Sequence, residues 1–228
     1  METIKSNFQT CSTILTKNTN MKIPLPGFLI VLFFFSSCCR KDSTETARYA
    51  LSQEELLMIP YEQGQKISFK HSGGYAFDFS VTEDRLEWRQ FFEFCEWNCC
   101  GEDYFSYQTR NTVLESAYPN LRITLSLGGT SYSEYVPLVL TLDINSRHSL
   151  SMPYDTSYRF ICDPWTKAVF YDTLMVNDKL YTGVLMKPFD IHSFITDSTV
   201  LIPASVLYNY QGLIQITMTN DETYMLND

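Results

Sequence analysis

From Lys66 to Leu226, apolar and polar residues alternate with a period of two in one run after another, and this pattern constrains the fold more than any other feature. Lys66-Ile67-Ser68-Phe69-Lys70 alternates, Ser72-Gly73-Gly74 breaks the run, and Tyr75, Phe77, Phe79 and Val81 then recur at every second position. Successive side chains of a strand point to opposite faces, so such a run buries one face and wets the other. The pattern predicts a hairpin here and a further strand over 86–97, with Leu86, Trp88, Gln90, Phe92 and Phe94 on alternate positions. More strands are predicted over 104–114, 121–127, 137–144, 157–162, 168–176, 180–186, 206–210, 212–218 and 222–226, and a short one at 201–203. Turn signals separate them at Pro119-Asn120, Gly128-Gly129, Asn177-Asp178 and Asn220-Asp221. Ser52 followed three residues later by Glu55 matches a capping box, and Pro60 limits that helix to about two turns. No amphipathic helices of 10–15 residues lie between the strands, which argues against a parallel α/β sheet. The expected fold is mainly β, an antiparallel sandwich or barrel-like sheet with one short N-terminal helix.

Met21 to Cys38 is organised differently. Lys22 is followed by an unbroken apolar run from Phe28 to Phe35, then Ser36, Ser37 and Cys38. A cation, an apolar middle and a small-residue end are the order of an export signal. The run is shorter than the roughly 20 apolar residues that span a bilayer. Residues 1–20 are polar, without apolar periodicity, and read as an extension ahead of a start at Met21.

Phe35-Ser36-Ser37-Cys38 resembles the lipobox of bacterial lipoproteins, with Phe where Leu is commoner. The resemblance implies a signal peptide over 21–37, cut before Cys38, and acyl chains such as palmitate on that cysteine. It makes a membrane the first partner, and more than one acyl chain suffices for stable anchoring. Residues 38–48, charged and Ser/Thr-rich from Arg40 to Thr46, are expected to form a flexible tether. Residues 49–228 are then a single β-rich domain, held at the outer membrane of the cell envelope and facing the periplasm or the surface. Val206 to Leu226 is similar to the C-termini of uncharacterised secreted lipoproteins of Gram-negative gut bacteria, through Tyr208, Tyr210, Gly212-Leu213-Ile214 and Tyr224-Met225-Leu226. Asp221 stands where glycine is usual in that group, and the likeness implies no activity.

Cleavage removes Lys5, Lys17, Lys22 and Glu2, taking the formal net charge from −9 to about −11. That excludes the basic footprint of a nucleic-acid binder. Fifteen Tyr and sixteen Phe indicate a packed domain. In an oxidising compartment Cys95, Cys99, Cys100 and Cys162 are candidate disulfide partners. Adjacent strand cysteines rarely pair, so Cys162 is expected to join Cys99 or Cys100, with Cys95 taking the other. A thiolate metal site is disfavoured because C-x₂-C pairs and nearby histidines are missing, and no metal or other cofactor is expected. His71, His148 and His192 read as strand-end or loop residues; neither Ser149 nor Ser193 lies in a nucleophile elbow. Carboxylates at Glu93, Glu96, Glu102 and Asp103 have no diagnostic spacing. Trp88, Trp97 and Tyr104 form the candidate ligand surface, for a glycan or a protein. The expected role is therefore non-catalytic binding or structure at the envelope. The alternative is a secreted glycan-active hydrolase or carbohydrate-binding accessory protein using the same aromatic region.

Overall fold

The computed structural model describes residues 43–92, 103–129, 136–154, 160–161, 167–190 and 202–227. Cys38, Cys95, Cys99, Cys100, Cys162 and Trp97 lie outside them, as does most of the strand expected over 157–162.

The described chain is one antiparallel sheet curled into a half barrel, with almost no helix. Its strands are β1 (Glu45–Tyr49), β2 (Lys66–His71), β3 (Ala76–Phe92), β4 (Tyr104–Ser116), β5 (Leu121–Gly128), β6 (Val139–Ile144), β7 (His148–Pro153), β8 (Val169–Val176), β9 (Lys179–Pro188), β10 (Pro203–Asn209), β11 (Gly212–Met218) and β12 (Thr223–Leu226). The order across the sheet is β7-β6-β5-β4-β3-β2-β12-β11-β10-β9-β8, and β1 adds to β4 in parallel. Short hairpins join most neighbours. At Asn177-Asp178 both φ angles are positive, +50° and +62°. That is the two-residue turn whose twist matches an antiparallel pair.

The expected alternation fills the core. Phe77, Phe79 and Val81 of β3 are buried beside Phe69 of β2, and Ile123, Leu125 and Leu127 of β5 beside Leu140 and Leu142 of β6. Leu140 and Met152 from one flank of the sheet share this core with Leu185 and Val206 from the other. Flanks so far apart in strand order meet only because the sheet bends. Leu51, Met58, Ile59 and Tyr61 pack into the same core from the segment around helix α1 (Gln53–Leu56). Ser52 caps α1 as expected: its hydroxyl accepts from Glu55 N–H, and the Glu55 carboxylate accepts from Ser52 N–H at 2.6 Å. A second cluster, Val176, Tyr181, Val184, Leu207 and Ile214, packs within β8–β11. Val206 joins the first cluster and Leu207 the second, as a strand apolar on both faces requires.

Three expectations change. The tether expected through residue 48 is already strand from Glu45, because β1 finds free backbone beside Tyr104–Tyr107, the half of β4 not paired with β5. The runs 75–81 and 86–97 are expected as separate strands, but Ala76–Phe92 is continuous, with an irregularity between Val81 and Glu83. The strand β7 was not expected, because His148-Ser149-Leu150-Ser151-Met152 offers only two apolar positions.

Candidate functional site

Beyond Val81, β3 leaves the main core and runs with β4 and β1 as a three-stranded arm. Of the predicted surface, Trp88 lies mid-arm and is 41% exposed. Tyr104 starts β4 opposite Phe92, with ring centroids 5.5 Å apart. The structure thus places Trp88 and Tyr104 on one arm. The guanidinium of Arg48 lies 4.1 Å from the centre of the Trp88 ring, so one face of the indole is already occupied by a cation. The other arm face carries Phe91 and Phe105 at 5.1 Å, with Tyr49 edge-on to Phe105 at 5.7 Å.

At the root of the arm, Arg110 resembles an anion site and is not one. Its Nε and one Nη form a fork on Asp84 at 2.8 and 2.9 Å. The remaining N–H groups reach the carbonyls of Leu56 at 2.7 Å, Ile59 at 2.9 Å and Tyr61 at 2.6 Å. All five guanidinium donors are used. Asp84 also accepts from Thr112 at 2.9 Å. Burial pushes the Asp84 carboxyl up, but the hydrogen bonds from Arg110 and Thr112 and the Arg110 charge outweigh it and hold it below its ordinary value. Arg110 therefore offers no free donor to the cleft of about 510 Å³ over this pair, which is lined by Gln53, Leu57, Pro60, Glu62, Arg85 and Leu86.

A second constellation was not visible in the sequence. The turns β2–β3, β4–β5 and β11–β12 lie at the same end of neighbouring strands, because the order places β5, β4, β3, β2, β12 and β11 side by side. They gather His71, Tyr75, Tyr118, Glu222 and Tyr224. Tyr75 stacks on His71 at 4.5 Å and lies 5.7 Å from Tyr118; Tyr224 lies 5.1 Å from His71. Tyr118 is 73% exposed, so this run of rings leads from solvent to the buried Tyr224.

The electrostatics of this cluster favour binding over proton transfer. His71 Nδ1 accepts from Gly73 N–H at 2.9 Å, which assigns the proton to Nε2. Nε2 is buried and faces Glu222 Oε2 at 3.6 Å, just beyond hydrogen-bond reach. A general base needs a lone pair aimed at the substrate, and this imidazole has spent its own on the backbone. Burial, then the Glu222 charge, pushes the Tyr224 phenol up to about 12. Burial also raises Tyr75, with Tyr118 and Glu222 adding to it. These phenols stay neutral donors at neutral pH. The signal that could have found the cluster is an aromatic or acidic residue beside three separate turns, but only strand order says which turns are neighbours.

Among the described residues, no group of three or more His, Cys, Asp or Glu side chains could hold a metal ion, and no helix is long and apolar enough to cross a membrane. No protein-family model, no curated protein and no solved structure matches the chain.

Proposed function

We propose that this is a lipid-anchored protein of the cell envelope that binds a ligand without transforming it, and that the ligand is a glycan received on the tyrosine platform at the three converging turns. The observation that carries the reading is the exposed Tyr118 ring beside Tyr75, with the partly exposed Glu222 carboxylate near Tyr75. A sugar presents a C–H face that stacks on such rings and hydroxyls that donate to a carboxylate. The His71 tautomer argues against general-base chemistry there, since the only ring proton points at Glu222. Lipid anchoring rests on the order of residues from Lys22 to Cys38.

The test uses the full chain purified from membranes in detergent. Intact-mass analysis is expected to find the chain beginning at Cys38 with acyl chains attached, and an unmodified Cys38 would refute the anchor. On a glycan array, Tyr118→Ala is expected to abolish the signal with folding intact, because that ring is largely in solvent. Binding unchanged by Tyr118→Ala, or turnover of any bound polymer, would refute the platform reading.

A further inference from the structure

The arm has two chemically different faces. On one, Leu86, Trp88, Gln90 and Phe92 alternate along β3 and are all exposed, with Tyr104 beside Phe92. Its charge near Trp88 is Arg48, laid over the indole. On the other, Arg85 pairs with Glu83 and Arg89 with Glu87, each at 3.3 Å, and the Phe91, Phe105 and Tyr49 rings pack on one another toward the tip. An exposed row of four side chains without a charge among them, three of them large and apolar, is unusual for a soluble surface and normal for one that meets an apolar partner.

The path of the chain identifies the partner. β1 runs parallel to β4 from Glu45, which pairs with Tyr104, and Tyr104 N–H donates to the Thr44 carbonyl at 3.1 Å. The chain leading back to Cys38 therefore leaves the fold beside Phe92 and Tyr104. Five residues lie between Cys38 and Thr44, and the six steps from one to the other extend to about 20 Å at most. An acylated Cys38 holds that end of the arm within this distance of the bilayer, where Trp and Tyr partition to the headgroup level. The Arg48 guanidinium over the indole puts a cation on this same face, which suits the phosphates of a lipid surface.

We infer that the Leu86–Trp88–Phe92–Tyr104 face of the arm lies against the lipid–water interface, so that the anchor and the arm together orient the domain on the membrane. This rests on the lipid-anchor reading above, and the experiment separates the two. Full-length acylated protein is reconstituted into phosphatidylethanolamine–phosphatidylglycerol vesicles carrying a shallow nitroxide-labelled lipid, and tryptophan emission is compared with that of Trp88→Phe. The expected result is emission quenched by the labelled lipid, with about half or more of that quenching lost in Trp88→Phe. Leu86→Ser/Phe92→Ser, with its near-ultraviolet circular dichroism unchanged, is expected to lose quenching in the same way while keeping Trp88. If Cys38 is acylated and neither change alters the quenching, the inference is overturned and the anchor stands. If Cys38 is unmodified, both fall.

Discussion

Replacing Arg110 by methionine removes the side chain that ties three carbonyls of the α1 segment to Asp84 of the sheet. Five N–H donors meet the Asp84 carboxylate and three carbonyls. Methionine fills similar space with no donor, so it leaves the carboxylate with Thr112 alone and takes the guanidinium away from all three carbonyls. Losing one member of a buried ion pair costs about 3–5 kcal/mol. The Arg110 and Asp84 side chains are 12% and 22% exposed, so water partly reaches the orphaned groups. That places the expected loss near the lower bound, about 3 kcal/mol. With a urea slope of about 2 kcal/mol/M, the unfolding midpoint falls by about 1.5 M. Arg110→Lys does little better, because one ammonium cannot reproduce a planar fork. In a cycle with Asp84→Asn, the double variant is expected to lose less than the sum of the singles by more than about 1 kcal/mol. The sign with pH follows from Asp84, whose carboxyl is held below its ordinary value in the fold. Its stabilisation is present above the unfolded carboxylate value and is lost as pH falls through the lower folded one. The gap between wild type and Arg110→Met should therefore narrow in acid. A midpoint shift under about 0.5 M, additive singles or a gap that widens below pH 4 would refute this account.

Gly212 stands at φ +99°, and a Cβ there would come within 2.2 Å of the Tyr61 hydroxyl. Gly212→Ala is expected to cost more than about 2 kcal/mol in thermal or urea unfolding, from backbone strain and displacement of Tyr61 together. Tyr61→Phe should cost about 1–3 kcal/mol, because it leaves the buried Leu213 N–H without the oxygen it meets at 2.6 Å; a neutral effect would mean water replaces that oxygen. Burial raises Tyr61, Tyr154, Tyr181, Tyr208 and Tyr224 above the ordinary phenol value. Their neutral forms stabilise the fold fully below the unfolded value near 10, and that contribution is lost as pH rises through the higher folded values. Ultraviolet titration should then show a late group of phenols whose ionisation coincides with unfolding; ionisation of these five near pH 10 without unfolding would contradict the burial described here.

Much of the strand inventory was legible because alternation is a local property. Tyr75 to Val81 and Gly212 to Met218 show their buried face without any partner, and the capping box at Ser52 and Glu55 is complete within four residues. The continuity of Ala76–Phe92 was not legible, since Thr82 to Arg85 is polar on both sides and looks like a break. Only pairing with Thr112 and Val113 carries the strand through. The candidate surface was half legible. Trp88 and Tyr104 do share an arm, but the cation over Trp88 comes from Arg48, forty residues away in the chain. The tyrosine platform was hidden because its members come from three turns spread over about 150 residues.

By itself the sequence determined most of the extended runs, many of the turns and the apolar face of the alternating strands, because φ/ψ preference and side-chain period act over a few neighbours. The order of residues from Lys22 to Cys38, on which the proposed anchor rests, is likewise a local matter of composition. Tertiary structure alone decided between one curled sheet and two packed ones, since both need the same alternation. It turned residues 45–48 from tether into strand by offering them the free edge of β4, and it spent every donor of Arg110 on Asp84 and the α1 segment. Those outcomes depend on which distant backbone lies alongside, and a period of two carries no record of the neighbour.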